Sequence, residues 1–229
     1  MICNVFGLWG EWGHSLFMKL FFTCLILMSL STAALSRPVS YPGGWTMMLT
    51  NDGHANSAHI HYSPTARMSV GVRSEYRREG DYYMNSVQMN NLLKRWNSKD
   101  SQANFYLKSG VGVAYSDAGD FDGEFEPSAY TGVALDWEDR RYFTSYENRV
   151  IKAGDIDDSF MQSARVGVAP YVGDYGDLHT WLMLQVDHVP ESNEPITVTP
   201  LVRFFKDVHL MEAGVSNQGD VLFNYIVRF

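Results

Sequence analysis

The chain has 229 residues, a formal net charge of −8 and 14% aromatic residues. The negative charge argues against nucleic acid as a partner. The slightly polar mean hydropathy excludes a bundle of membrane-spanning helices, which needs several apolar runs of about 20 residues. A transmembrane β-barrel is not excluded, because the alternating residues of its strands average out.

Residues 1–36 have the pattern of a secretory signal peptide. Lys19 precedes a short apolar run and then a stretch of small residues, which is the order that such signals show. Cleavage is predicted after Ser36, with cleavage two residues earlier or an uncleaved helical anchor as alternatives, and Met18 is the better translation start. The mature domain, 37–229, would contain no cysteine, because both cysteines precede the cleavage site.

From residue 37 onward, apolar and polar residues alternate, and turn residues interrupt the alternation. A period of two between turn signals predicts β-strands. In chain order, the predicted strands span 45–49, 58–62, 68–76, 83–93, 105–115, 129–137, 142–150, 164–168, 178–186, 196–204, 211–215 and 221–229.

The last predicted strand carries the clearest pattern. Val221, Phe223, Tyr225, Val227 and Phe229 occupy alternate positions up to the end of the sequence. The strand resembles the C-terminal strand of bacterial outer-membrane β-barrels, which ends in Phe and is recognised by the barrel-assembly machinery. The resemblance implies an outer-membrane location in a Gram-negative bacterium, with Phe229, Val227 and Tyr225 as the assembly signal.

We therefore predict an all-β fold, a transmembrane antiparallel up-and-down barrel of twelve strands. An even number of strands is typical of such barrels. The connections predicted to be periplasmic are short; they are 63–65, 96–101, 138–140, 173–177 and 206–207. The others are mostly longer and more acidic, as expected of the outer face, and could concentrate cations or bind the divalent ions that bridge lipopolysaccharide.

A soluble β-sandwich or a lipocalin-like barrel would alternate in the same way, with its apolar face inward. The aromatic residues favour lipid, because they gather at the two ends of the apolar face, as in the girdles of membrane barrels. One predicted girdle comprises Tyr62, Trp137, Tyr142, Phe204 and Phe229, and the other comprises Tyr76, Tyr83 and Tyr115.

The opposite face of the strands carries charges of both signs and is predicted to line the lumen. The candidates are Arg73, Glu75, Lys108, Glu147, Arg149, Arg165, Arg203, Glu212 and Arg228. Two interiors fit this set. One is a narrow channel, and the other is a closed lumen in which the charges pair, since a buried charge needs a partner or water.

Candidate metal ligands are His54, His59 and His61, with Met48 on the neighbouring strand. Imidazole and thioether groups suit copper or zinc. His59 and His61 would share one face, about 6–7 Å apart, and no third ligand is fixed by the sequence. Ordinary polar histidines in the lumen are the alternative, and no cofactor is predicted.

Outer-membrane phospholipase A is similar in strand count, and it uses a His and a Ser two residues apart with a supporting Asn. His61 and Ser63 have this spacing, but Ser63 precedes Pro64 in a predicted turn. No Asn lies at the comparable position of the third strand, which carries Arg73 and Glu75. We therefore predict that the protein is not an enzyme, with a lipid-modifying activity as the minor alternative.

Three blocks of the sequence resemble a small family of uncharacterised proteobacterial outer-membrane proteins. They are GGWTMMLTNDG, NNLLKRWNSKDSQANFYLKSGVGVAYSD and YTGVALDWEDRRYFTSYENR. That family is associated with gene clusters for heavy-metal resistance, so the resemblance implies a barrel and a metal-related role. The predicted function is a narrow porin-like channel or a structural barrel. Its expected partners are outer-membrane lipid, lipopolysaccharide, the assembly machinery, and small solutes or metal ions.

Overall fold

The structure is a computed structural model that describes residues 38–174 and 176–229. The predicted signal peptide, residues 1–36, lies outside the described residues. Within those ranges the chain forms twelve β-strands and one short 3-10 helix at Gly119–Phe121. The strands are β1 (Trp45–Asn51), β2 (Ala55–Thr65), β3 (Met68–Arg77), β4 (Tyr82–Asn97), β5 (Ser101–Ser116), β6 (Phe125–Asp139), β7 (Tyr142–Ala153), β8 (Asp157–Val168), β9 (His179–His188), β10 (Ile196–Lys206), β11 (His209–Val215) and β12 (Val221–Arg228).

The strands close into a barrel in sequence order, and β12 pairs with β1. Each strand is antiparallel to its neighbours, as in the pairing of Leu49 with Tyr225 across the closing seam. The predicted fold class is therefore confirmed. Both described ends of the chain lie at one rim, which we call the terminal rim; the opposite rim carries the connections 52–54, 78–81, 117–124, 154–156, 189–195 and 216–220.

Burial alternates along the strands with a period of two. In β2, for example, Ser57, His59, His61 and Ser63 are buried, whereas the residues between them are exposed. Side chains of successive strand residues point to opposite faces, so one set lines the interior and the other covers the outside. Large apolar residues dominate the exposed set along the middle of the strands, including Val72, Val87, Val111, Leu135, Val150, Val166, Leu182, Leu184 and Met211.

Strand lengths differ around the barrel. β4, β5 and β6 have 16, 16 and 15 residues, whereas β1, β11 and β12 have 7, 7 and 8. A tilted strand needs about 9–11 residues to cross a bilayer. One side of the wall is therefore longer than a membrane requires, and the side that contains the closing seam is short.

Among the predicted connections, two differ most from the structure. The turn predicted at 63–65 is wrong, because β2 continues through Pro64 to Thr65. The pairing of β2 with β3 is irregular between Tyr62 and Thr65, so the missing N–H of Pro64 interrupts no regular ladder. The connection predicted at 173–177 is longer than expected and spans 169–178.

That longer connection is tied to the turn between β6 and β7. The Ala169 N–H donates to the Arg141 carbonyl at 2.8 Å, and Arg140 Nη2 donates to the Gly173 carbonyl at 3.1 Å. Ala169 is also buried against Trp181 and Met183. These contacts attach the described part of the connection to the neighbouring turn at the terminal rim.

The barrel interior contains apolar clusters as well as charges. The largest joins Tyr82, Met84, Ala114, Tyr130, Ile151, Ala153 and Ile156. No helix in the described ranges is long and apolar enough to cross a membrane.

Candidate functional site in the barrel interior

A buried carboxylate, Glu75 on β3, is surrounded by arginines. Arg73 donates to it through Nε at 2.6 Å, and Arg77 Nη1 lies 3.5 Å from Oε1. Arg149 on β7 donates from Nη1 to both carboxylate oxygens at 2.9 Å. Glu75 is 1% exposed, so these guanidinium groups replace the water that an ionised carboxylate needs.

Arg149 is held in place by an aromatic ring and a chain of hydrogen bonds. Its guanidinium lies 4.0 Å from the ring centroid of Tyr130, a cation–π contact. The Tyr130 hydroxyl donates to Gln88 Oε1 at 2.5 Å, and Gln88 Nε2 donates to Asn90 Oδ1 at 2.6 Å. Asn90 Nδ2 in turn donates to Ser69 Oγ at 3.0 Å. Each of these side chains is hydrogen-bonded to the next, so the Tyr130 ring and the Arg149 guanidinium above it are held in one orientation.

The chain of hydrogen bonds ends on the segment that precedes β1. Ser69 Oγ donates to the Pro38 carbonyl at 2.8 Å, and the Ser40 N–H donates to Ser63 Oγ at 3.0 Å. Val39 is buried against Leu92, Tyr106 and Ala134. Residues 38–40 therefore lie inside the barrel at the terminal rim, where they occupy part of its cross-section.

A second carboxylate, Glu212 on β11, has a similar environment. It accepts hydrogen bonds from Arg165 Nη1 at 2.9 and 3.1 Å, Arg203 Nε at 2.6 Å and Asn224 Nδ2 at 2.7 Å. Arg203 also packs 4.6 Å from the ring centroid of Phe143. The interior thus holds two carboxylates that each bind more than one arginine.

Several interior contacts join strands that are not neighbours. Tyr82 on β4 donates to Asp157 on β8 at 2.5 Å, and Arg77 on β3 reaches Met161 Sδ on β8 at 3.4 Å. Lys108 on β5 pairs with Glu147 on β7 at 2.6 Å. Together with Glu75 and Arg149, these pairs narrow the lumen on the side formed by β3 to β8.

The structure places all nine predicted lumen residues on the interior face. Glu75, Arg149, Glu212 and Arg228 are buried, and Arg73, Lys108, Glu147, Arg165 and Arg203 are partly exposed. Arg228 stands opposite Thr46 across the seam. Sequence analysis missed Arg77, because the third predicted strand, 68–76, ended one residue before it. The spacing of Arg73, Glu75 and Arg77 was the available signal, since residues two apart share a face.

The histidine rings lie close together. His59 and His61 have ring centroids 4.6 Å apart, and both residues are buried. Met48 stands opposite His59 in the register of β1 and β2, whereas His54 lies in the connection before β2, 3.9 Å from Glu79. Among residues 38–174 and 176–229, no group of three or more His, Cys, Asp or Glu side chains could hold a metal ion. Binding by His54, His59 and His61 stays a prediction.

The His61 and Ser63 side chains do not form a catalytic pair in the structure. Both point into the barrel, and neither ring nitrogen of His61 has a hydrogen-bond partner in the described part of the chain. Ser63 Oγ instead accepts the Ser40 N–H. Activation of a serine requires a base within hydrogen-bonding reach, so the arrangement offers no nucleophile.

The connection between β1 and β2 is organised around Asp52. Its carboxylate accepts the backbone N–H groups of His54 at 2.8 Å and Ala55 at 2.7 Å. Burial raises the pKa of the Asp52 carboxyl, and these two hydrogen bonds act in the opposite direction. This carboxylate therefore serves to shape the turn.

The outside of the barrel has the chemistry of a lipid-facing surface. An apolar belt surrounds it, and exposed aromatic residues lie toward both ends: Trp45, Tyr62, Trp96, Trp137, Tyr142, Phe204 and Phe229 near the terminal rim, and Tyr83, Tyr115 and Phe125 near the opposite rim. A soluble barrel would place its apolar face inside and its charges outside. An apolar belt between two sets of aromatic residues, on a closed barrel, is the outer surface of a transmembrane β-barrel.

The solved structures that resemble this chain include two of KdgM porin. A KdgM porin in complex with disordered oligogalacturonate has a TM-score of 0.48 and 6% identity, over 81% of this chain and 98% of that chain. KdgM porin itself has a TM-score of 0.45 and 8% identity over the same shares. OccK8 (OprE) of Pseudomonas aeruginosa has a TM-score of 0.42 and 7% identity, over 86% of this chain and 60% of that chain. No family model and no curated protein matches the sequence.

Proposed function

We propose that the protein is an outer-membrane channel that passes small solutes through a narrow, charged lumen. The observation that carries this proposal is the distribution of side chains in a closed barrel. The exterior is an apolar belt between aromatic residues, and the interior carries the carboxylates Glu75 and Glu212 with their arginines. Charges of both signs on the inner wall favour water and polar solutes over a packed apolar core.

A structural barrel with a closed interior is the second candidate. It is favoured by the contacts that cross between distant strands, in particular Arg149 with Glu75 and Tyr82 with Asp157. Such pairs reduce the space through which a solute could pass. They also rigidify the wall, since each fixes two strands that share no backbone hydrogen bonds.

Single-channel recording separates the two candidates. The mature chain, 37–229, would be refolded in detergent and added to a planar bilayer. The channel proposal expects discrete conductance steps. A Tyr82→Ala variant, which removes the contact with Asp157, should give larger steps. If neither protein gives steps at any voltage, although both are folded and inserted, the barrel is structural.

The cellular location follows from the same proposal. Residues 1–36 would direct export and be removed, the terminal rim would face the periplasm, and the barrel-assembly machinery would insert the chain. The connection at 117–124, which carries Asp117, Asp120, Asp122 and Glu124, would face outward, next to lipopolysaccharide. An epitope placed in this connection should be accessible on intact cells, and an epitope at 207–208 should not. The reverse result would contradict the orientation.

A further inference from the structure

Arg149 binds Glu75 through one nitrogen and keeps one edge free. Its Nη1 contacts both carboxylate oxygens at 2.9 Å. Its Nε and Nη2 atoms are buried and have no hydrogen-bond partner in the described part of the chain. The N–H groups of Nε and Nη2 point the same way along one edge of the guanidinium. This edge can bind a carboxylate through two parallel hydrogen bonds.

Other interior arginines use this edge within the protein. Arg73 directs Nε and Nη2 at Glu75, both at 2.6 Å. Arg165 directs the same two atoms at Gln185 Oε1, and Arg203 directs Nε at Glu212. Arg149 therefore differs from Arg73, Arg165 and Arg203, because its Nε–Nη2 edge has no hydrogen-bond partner among the described residues.

The free edge is held in a fixed orientation. The Tyr130 ring lies 4.0 Å below the Arg149 guanidinium and is itself anchored by the hydrogen bond to Gln88. Gly110 allows this arrangement, because a Cβ atom there would lie 2.4 Å from Tyr130 Cε1. Arg149 is 8% exposed. A donor pair that is already immobilised loses little entropy when a ligand binds.

The charges around Arg149 are of both signs. Arg149 and Arg73 share the Glu75 carboxylate, and Lys108 pairs with Glu147. None of these carboxylates forms a hydrogen bond with Nε or Nη2 of Arg149 among the described residues. An anion at this edge would therefore meet donors that no described carboxylate uses.

We infer that the Nε–Nη2 edge of Arg149 is a binding site for the carboxylate group of a small solute. The inference rests on the proposed channel for the solute's route into the lumen. A planar carboxylate can accept both N–H groups at once, whereas a spherical halide cannot match two parallel donors in the same way. The site therefore distinguishes carboxylates from chloride by geometry and not by charge alone.

Acetate is the probe for this site, and its binding can be measured without any conductance. The ¹⁵N-labelled barrel, folded in detergent micelles, would be titrated with sodium acetate and with sodium chloride at constant ionic strength. The arginine Nε–H resonance that is missing from an Arg149→Lys variant is the reporter. We expect a saturable shift of this resonance with acetate and a smaller, non-saturating shift with chloride. Equal responses to both salts would overturn the inference.

Three variants test the geometry. Arg149→Lys keeps the charge and loses the paired donors, so its affinity for acetate should be lower by a factor of about ten. In this variant, acetate binding is measured from the shifts of the other arginine Nε–H resonances. Tyr130→Leu removes the ring and should also weaken binding, which keeps the test available if the lysine variant does not fold. Arg203→Lys is the matched control, since its Nε is occupied by Glu212, and should bind acetate normally. Normal binding by both Arg149→Lys and Tyr130→Leu would refute the site.

The binding experiment and the conductance experiment can fail independently of each other. Saturable acetate binding in a barrel that gives no conductance steps supports the site and contradicts the channel. Conductance steps without saturable acetate binding support the channel and contradict the site.

Discussion

Trp45 and Phe229 exchange two backbone hydrogen bonds. The Trp45 N–H donates to the Phe229 carbonyl at 2.7 Å, and the Phe229 N–H donates to the Trp45 carbonyl at 3.0 Å. This pair is the end of the seam between β1 and β12 at the terminal rim. The last residue of the chain therefore contributes to barrel closure, in addition to its predicted role as a sorting signal.

Deletion of Phe229, or its replacement by Asp, should block assembly. The deletion removes both hydrogen bonds to Trp45, and Asp places a charge where an aromatic ring faces the membrane interface. The amount of heat-modifiable, folded barrel in outer-membrane fractions measures the effect. Phe125→Asp is the matched control, because Phe125 is 65% exposed against 61% for Phe229 but lies at the opposite rim. Wild-type levels of the Phe229 variants would show that the prediction is wrong.

Replacement of Glu75 by Gln should destabilise the barrel strongly. The amide leaves Arg73, Arg77 and Arg149 without their shared counter-charge, and loss of one partner of a buried ion pair costs about 3–5 kcal/mol. Urea unfolding in lipid vesicles measures the change. Lys152→Gln breaks the exposed pair with Asp158 and should leave the midpoint unchanged. A Glu75→Gln barrel as stable as the wild type would mean that the arginines are compensated by other groups.

The folding free energy lost when an outer-surface residue is replaced by Arg should show how deep that position lies in the bilayer. Val111, near the middle of β5, is 66% exposed. An Arg there should cost about 2–4 kcal/mol of folding free energy in lipid, because a charge at mid-bilayer is poorly solvated. Phe125→Arg, near the rim, should cost about 0–1 kcal/mol. Folding into lipid vesicles measures both values, and equal small costs would place Val111 outside the bilayer.

Release of the segment at residues 38–40 should widen the channel. The double variant Ser69→Ala/Asn90→Ala removes the side-chain donors to the Pro38 carbonyl, and each lost hydrogen bond weakens attachment by about 1 kcal/mol. The expected result is a larger or more variable single-channel conductance. Ser109→Ala/Thr131→Ala breaks a hydroxyl pair on the outer face and should leave conductance unchanged. Identical conductance in both double variants would mean that the segment does not restrict the lumen.

The barrel could be predicted from the sequence because one face of each strand lies on the apolar outside and the other face lies on the polar inside. Alternation along β2 or β12 determines which residues face out, and it does so without knowledge of any partner. The turn predicted at Ser63 failed because Pro64 was assigned to a connection, although an irregular rim position accommodates it. Sequence rules for turns apply to regular strands, whereas the pairing of β2 is irregular at this rim.

The interior partners could not be predicted in the same way. That Glu75 faces inward follows from its position in β3, but its contact with Arg149 joins strands β3 and β7, which are not neighbours. Which residues meet across a lumen depends on strand tilt and shear, which set the height of every residue. The free edge of Arg149 likewise depends on the Tyr130 ring, and no spacing in the sequence indicates that contact.

The unequal strand lengths have a mechanical consequence. β11, β12 and β1 are adjacent and have 7, 8 and 7 residues, so the part of the wall with the shortest strands contains the pairing of β12 with β1. Local opening has the lowest free energy where backbone hydrogen bonds are fewest. Thermal fluctuations should therefore separate these strands before they separate others in the barrel. Amide hydrogens of β12 would exchange with solvent well before those of β5. Local opening would thus be confined to the side of the wall that contains β11, β12 and β1.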